Sequence, residues 1–126
     1  MKFLTTGMLA ALLAVLAGCA SSPPLPTVAR VDLDRYLGQW YEIALIPNRF
    51  QAQCVSDTRA EYRRDGEAIQ VVNRCRTASG DEESATGIAR VVEGSEGARL
   101  RVSFFRPFYG NYWVLAIDPD YRWVLV

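Results

Sequence analysis

From Asp32 onward the chain alternates short runs rich in β-branched and aromatic residues with clusters of turn residues, and no helix of useful length fits. Asp32-Leu33-Asp34-Arg35-Tyr36-Leu37 can form one short turn, capped by Asp32 and ended by Gly38. Seven strands are then expected, at 39–45, 54–64, 67–76, 84–92, 98–105, 111–118 and 121–126. The second alternates cleanly. Ser56, Thr58, Ala60 and Tyr62 share one face, and Asp57, Arg59, Glu61 and Arg63 share the other. The charged face must meet water, so the small and aromatic face points inward. The same logic turns Ile69, Val71, Asn73 and Cys75 inward, then Ala89 and Val91, then Leu100, Val102 and Phe104, then Tyr112 and Val114. Arg99, Arg101 and Ser103 fall outward. Asp65-Gly66 is a strong hairpin turn, 94–97 supplies another, and Pro119-Asp120 turns the chain before the last run.

Strands in simple succession, each beside the one before, close most naturally as an antiparallel up-and-down barrel, which leaves no free edge. The inward faces of the second to fourth strands carry small or polar residues among the aliphatics. A packed core would use larger side chains there, so an interior cavity is expected.

The first 31 residues do not share this pattern. Lys2 and the apolar run Leu9–Ala17 read as a secretory signal at 1–18, too short to span a bilayer as a helix. The run ends in Leu16-Ala17-Gly18-Cys19, which resembles the lipobox of bacterial lipoproteins. That resemblance implies a lipidated Cys19 as the mature N-terminus. Ala20, in place of an aspartate, implies sorting to the outer membrane. Residues 19–31, with Ser21, Ser22, Pro23, Pro24 and Pro26, read as an extended tether. In polyproline geometry it would reach roughly 35 Å.

Composition narrows the chemistry. Fourteen basic and fourteen acidic side chains balance, so no nucleic-acid footprint is visible. With no histidine in the chain, a histidine-dependent triad or a His-containing zinc site is excluded. Glu42, Glu61 and Asp57 are candidate acid/base groups by residue type alone, but Glu61 and Asp57 lie on the charged outer face and read as solvated surface. No catalytic residue, cofactor or metal site is assigned.

Three segments carry a family resemblance. Gly38-Gln39-Trp40-Tyr41-Glu42-Ile43-Ala44 resembles the Gly-x-Trp signature that opens the first strand of lipocalins. Asp118-Pro119-Asp120-Tyr121-Arg122 resembles the family's second motif, and Phe104–Tyr112 is similar to the segment joining the fifth and sixth strands of bacterial lipocalins. The resemblance covers Asp32–Val126 and is nearest to outer-membrane lipoprotein lipocalins, relatives of apolipoprotein D. It implies an all-β lipocalin barrel over 32–126 with structural roles for Gly38, Trp40, Asp118 and Tyr121. In the family an eighth strand bears an arginine that packs over the tryptophan, and a helix follows. Neither follows Val126, and Arg122 is not that arginine, so the expected domain is incomplete at its C-terminal end.

Cys54 and Cys75 form an even pair in an oxidising compartment. If Asp65-Gly66 is the turn, facing residues sum to 131. The two cysteines are then displaced by two, on the same face, slightly too far apart for a relaxed bridge. A longer turn or a bulge in either strand would close the gap.

The function expected is binding and storage or transfer of a small hydrophobic ligand, such as a fatty acid or lysophospholipid, in envelope maintenance. The protein would be anchored at the outer membrane and face the periplasm. A homodimer is compatible with this reading. Two other classes stay open: a lipocalin-fold enzyme acting on a lipid, and a structural envelope lipoprotein with a packed barrel. An internal cavity lined by Tyr62, Val71 and Leu100 would separate binding from the packed alternative. Asn73, Tyr62 and Tyr112 are candidates to hold a ligand head group. Phe108 and Tyr109 are candidates for a gate or membrane contact.

Overall fold

A computed structural model describes residues 22–126. The expected signal segment and Cys19 lie outside the described residues. A four-residue helix, α1 (Leu33–Tyr36), begins where Asp32 Oδ1 accepts from the backbone N–H groups of Asp34 and Arg35. Eight strands follow: β1 (Gly38–Tyr41), β2 (Cys54–Asp65), β3 (Ala68–Thr77), β4 (Glu82–Val91), β5 (Arg99–Phe105), β6 (Phe108–Trp113), β7 (Ala116–Ile117) and β8 (Val124–Leu125). β1 to β6 form one antiparallel sheet in chain order, and β7 pairs with β8 in a second.

This is the up-and-down order the alternation predicts, with three differences in extent. The first strand stops at Tyr41 and not at residue 45, because after the single bond from Glu42 N–H to Thr58 O the chain leaves the ladder. The sixth starts three residues early, at Phe108, and breaks after Trp113 where Val114 bonds sideways to Val28 and Ala98. The seventh is only Val124–Leu125, since the turn occupies 119–122. The ladder does not close into a barrel: β1 is one edge of the large sheet and β6 the other.

The tether boundary also moves. Val28 N–H donates to Val114 O and Val31 N–H to Glu96 O, and Val31 is buried in the core. Two valines three residues apart give this stretch enough apolar surface to dock, so the described chain is held to the domain from Val28. Gly97 makes the approach feasible: a Cβ there would stand 2.6 Å from Val31 O.

Register shows which side chains share the concave face, because directly opposed residues do. One row runs Trp40, Ala60, Asn73, Ala85, the next Gly38, Tyr62, Val71, Gly87, and a third Ile69, Ala89, Val102, Gly110. The core sits at one end of this face, where Val31, Tyr36, Tyr62, Ile69, Leu100 and Val114 are buried together. The helix, the β2–β3 hairpin and the β4–β5 and β7–β8 turns meet there, tied by Arg64–Asp34 and by Asp32 N–H to Tyr121 Oη. We call this the closed end. The β1–β2, β3–β4 and β5–β6 loops lie at the other end, the mouth.

Candidate ligand-binding site

The floor is built by aromatic packing. Tyr36, the last residue of α1, stacks on Trp40 at 4.9 Å and meets Tyr62 edge-on at 5.3 Å. Trp40 Nε1–H donates to Tyr36 O at 2.8 Å, so the indole's polar atom is satisfied and its ring is fixed. Gly38 permits the sharp entry to β1, with φ of 108°. The hydroxyls of Tyr36 and Tyr112 are 2.6 Å apart, and those of Tyr62 and Tyr112 2.9 Å. Burial pushes all three phenols above their ordinary range, and neighbouring phenols push Tyr36 and Tyr112 further the same way.

The β7–β8 turn is locked beneath this floor. Asp118 is buried and its carboxylate accepts from Arg122 N–H at 3.1 Å and Nε at 2.9 Å. Those bonds hold its carboxyl below the usual carboxylate range. Arg35 lies over the Tyr121 ring at 4.2 Å. Gly38, Trp40, Asp118 and Tyr121 therefore all serve the closed end.

The structure brings together Tyr62, Ile69, Ala89, Leu100, Val102, Tyr112 and Val114 around a small void of about 10 Å³. That is close to the least volume that holds one water, and far from the several hundred Å³ of a ligand site. Val71 is buried in the same core but does not line the void, so the expected cavity of Tyr62, Val71 and Leu100 does not exist at that place. Toward the mouth the residues that share the concave rows are small: Ala60, Asn73 and Ala85 stand opposite one another, and Gly110 follows Val102.

Three expected lining residues are displaced. Ser56 stands opposite Arg76 on the outer face and is exposed, because register slips on either side of it, between Cys54 and Arg59, and Asp57 adopts φ of 55°. Val91 is 40% exposed at the last rung of β4, where the strand runs out of neighbours. Phe104 is inward but 43% exposed, its ring resting on the surface left free by Gly87, where a Cβ would be 2.8 Å away. Thr58, Ala60 and Asn73 are half-buried on the concave side. Ser103, expected outside, is buried with its Oγ unpartnered, beside a hollow shared with Gln70, Thr86 and Arg106.

Sequence reasoning missed Val31, Leu33, Tyr36, Ala85, Gly87 and Gly97. The glycines and Ala85 carry no apolar signal. The register of their cross-strand partners identifies Ala85 and Gly87, and a hydrophobic residue four before Trp40 marks Tyr36.

At the mouth Cys54 and Cys75 are joined with Cα atoms 5.5 Å apart. The hairpin turn is Gly66-Glu67, with Asp65 facing Ala68, so facing residues first sum to 133 and the cysteines would be four positions out. The slips around Ser56 lower the sum to 131 at Cys54–Thr77, and the bulged strand closes the remaining gap.

Among the described residues the candidate acid/base groups Glu61 and Asp57 are engaged by arginines and form no catalytic constellation. Glu61 pairs with Arg63 and Arg74, Glu82 with Arg59, and Asp57 with Arg76, all on the outer side. Among the described residues no His/Cys/Asp/Glu group could hold a metal, and no helix is long and apolar enough to cross a membrane.

A family model described as a lipocalin-like domain matches residues 31–126. The chain is 40% identical to outer membrane lipoprotein Blc of Vibrio cholerae over 84% of its own length and 63% of that protein's. It is 38% identical to outer membrane lipoprotein Blc of Escherichia coli, over 93% of the chain and 69% of the relative. Apolipoprotein D of Cavia porcellus is 35% identical over 95% of the chain and 66% of its own length. The chain thus spans about two thirds of the curated relatives it matches. Among solved structures, insecticyanin from the tobacco hornworm Manduca sexta superposes with a TM-score of 0.64 and 29% identity, covering 78% of this chain and 54% of that one.

Proposed function

The chain belongs to the lipocalin family, and from that premise we propose that it binds a small hydrophobic ligand on the concave face at the mouth. The observation that carries this reading is the gradient along the face. Large side chains fill the closed end, and the rows toward the other end carry the small side chains of Ala60, Asn73, Ala85 and Gly110. A protein whose role was only a packed barrel would place volume there. A fatty acid or the acyl chain of a lysophospholipid fits the chemistry, each buried methylene contributing about 0.8 kcal/mol. Asn73 and Thr58 would meet the polar end near the rim.

The likeness to outer membrane lipoproteins supports the same protein being anchored through Cys19 and facing the periplasm, where it would store or transfer lipid in envelope maintenance. Changing Cys19→Ser should move it from washed outer membranes to the soluble periplasmic fraction. Retention in the membranes would refute the anchor. Native mass spectrometry of the protein extracted from its own membranes tests the binding itself. A co-purifying lipid is expected, and a lipid-free protein that also fails to bind added fatty acid would refute it.

A further inference from the structure

Each contact between two hydroxyls uses one proton. Tyr36, Tyr62 and Tyr112 bring three O–H protons to two contacts, one of 2.6 Å and one of 2.9 Å, both centred on Tyr112. One proton is therefore left over, whichever way the chain of donors runs. Among the described residues no other side chain or carbonyl accepts from these hydroxyls. Tyr36 and Tyr62 are buried and Tyr112 is half-buried, so the spare proton has little access to bulk water, and an unmade bond there costs free energy.

The surroundings specify what can make that bond. The rings of all three tyrosines line the void, whose other walls, such as Ile69, Leu100 and Val114, are aliphatic. No lysine or arginine lines it. Arg64, the cation whose register places it in the row of Ile69, is engaged by Asp34 at 2.5 Å and is 42% exposed. An anion brought here would lose its hydration and gain no counter-charge.

We propose that the tyrosine cluster is a binding site for one uncharged oxygen of the ligand, so that the deep end accepts an alcohol, ketone or ester oxygen and rejects an ionised carboxylate. This rests on the ligand lying on the concave face, as argued above, and adds its chemistry and direction. A simple fatty acid would enter with its methyl end toward the tyrosines and keep its carboxylate at the mouth. A chain bearing an internal or terminal neutral oxygen would gain a hydrogen bond that the plain chain lacks. Burial holds the phenols in their neutral, proton-bearing form, as this role needs.

The test is displacement of a fluorescent fatty acid by sixteen-carbon competitors: hexadecane, palmitate, and 15-hydroxypalmitate, whose hydroxyl lies at the far end of the chain. The hydroxy acid should compete about tenfold better than palmitate, the worth of one buried hydrogen bond. In the triple variant Tyr36→Phe, Tyr62→Phe, Tyr112→Phe that advantage should disappear, so that the hydroxy acid and palmitate compete equally. Replacing all partners by rings of the same shape is tolerated, so it should fold. Tyr62→Phe alone leaves two hydroxyls, one contact and still one spare proton, and should keep the advantage. In the unmutated protein the tyrosine 13Cζ resonances should move with the hydroxy acid and stay still with hexadecane. An advantage that survives the triple variant, or 13Cζ resonances indifferent to a bound hydroxy acid, would overturn the inference and leave ligand binding standing. Failure of every competitor and of the fluorescent acid itself to bind would overturn both.

Discussion

The two ends of the concave face share a sheet and differ in almost everything else. At the closed end Tyr36, Tyr62, Ile69, Leu100 and Val114 are buried, and three turns and a helix are tied together by hydrogen bonds. At the mouth Ile43 is 92% exposed, Ile46 89% and Phe50 76%, and the facing phenylalanines Phe105 and Phe108 stack on each other in the open. The difference teaches that stability and binding are separated along the strands. One end supplies the buried area that holds the sheet, and the other is free to carry small side chains and exposed loops.

Substitutions should break along the same line. Tyr36→Ala removes a buried ring from the floor and its contact with Trp40, and should cost about 3–5 kcal/mol in urea unfolding. Ile46→Ser at the mouth should stay within about 0.5 kcal/mol. Comparable losses at the two positions would erase the distinction.

The mouth does have one strong tie. The Cys54–Cys75 bridge closes a loop of about 20 residues, worth roughly 3 kcal/mol on the chain-entropy model. The double change to serine should lose up to that much, and chiefly loosen the β1–β2 loop that precedes Cys54. Hydrogen exchange should report the loosening there and leave β5 and the closed end protected. Uniform loss of protection would show that the bridge holds the whole sheet.

The alkaline pH response should single out the closed end. The three phenols have folded pKa values raised above the unfolded value of about 10. Their neutral forms are favoured by folding, so their contribution is complete below pH 10 and is lost as pH rises above it. At low pH the carboxyls of Glu61, Glu82 and Asp118, all held below their ordinary range by arginines, lose their contribution as pH falls through about 4. Alkaline titration should therefore open the closed end, seen as loss of near-ultraviolet circular dichroism from Trp40 and its neighbours. In the triple tyrosine-to-phenylalanine variant the alkaline limb should shrink.

The sequence made this architecture legible where alternation was strong. Tyr62, Val71, Leu100 and Val102 face inward because their strands keep a strict period of two. Gly38 and Trp40 announced the entry to β1. Alternation failed where a local event reset the phase: the slips at Asp57 carried Ser56 to the outer face. Reading the hairpin turn one residue early misplaced the register near the turn by two, and the slips around Ser56 restored the expected sum of 131 at Cys54. Glycine and alanine were silent, so the part of the face that offers space, at Ala85 and Gly87, was the part least visible. Val31 was assigned to a proline-rich tether because its neighbours set the local composition, whereas its own side chain is core.

The central claim is that the body of the ligand lies along the small-residue end of the concave face, with only its tip directed at the packed end. Ala85→Trp places a large ring on that part of the face, opposite Asn73, at an exposed strand position. Titration of a fluorescent fatty acid into this variant and the unmutated protein, with melting followed in parallel, tests the claim most directly. The account predicts at least a roughly tenfold loss of affinity, about 1.4 kcal/mol, with an unchanged melting temperature. Equal affinity in a fully folded Ala85→Trp protein would contradict it.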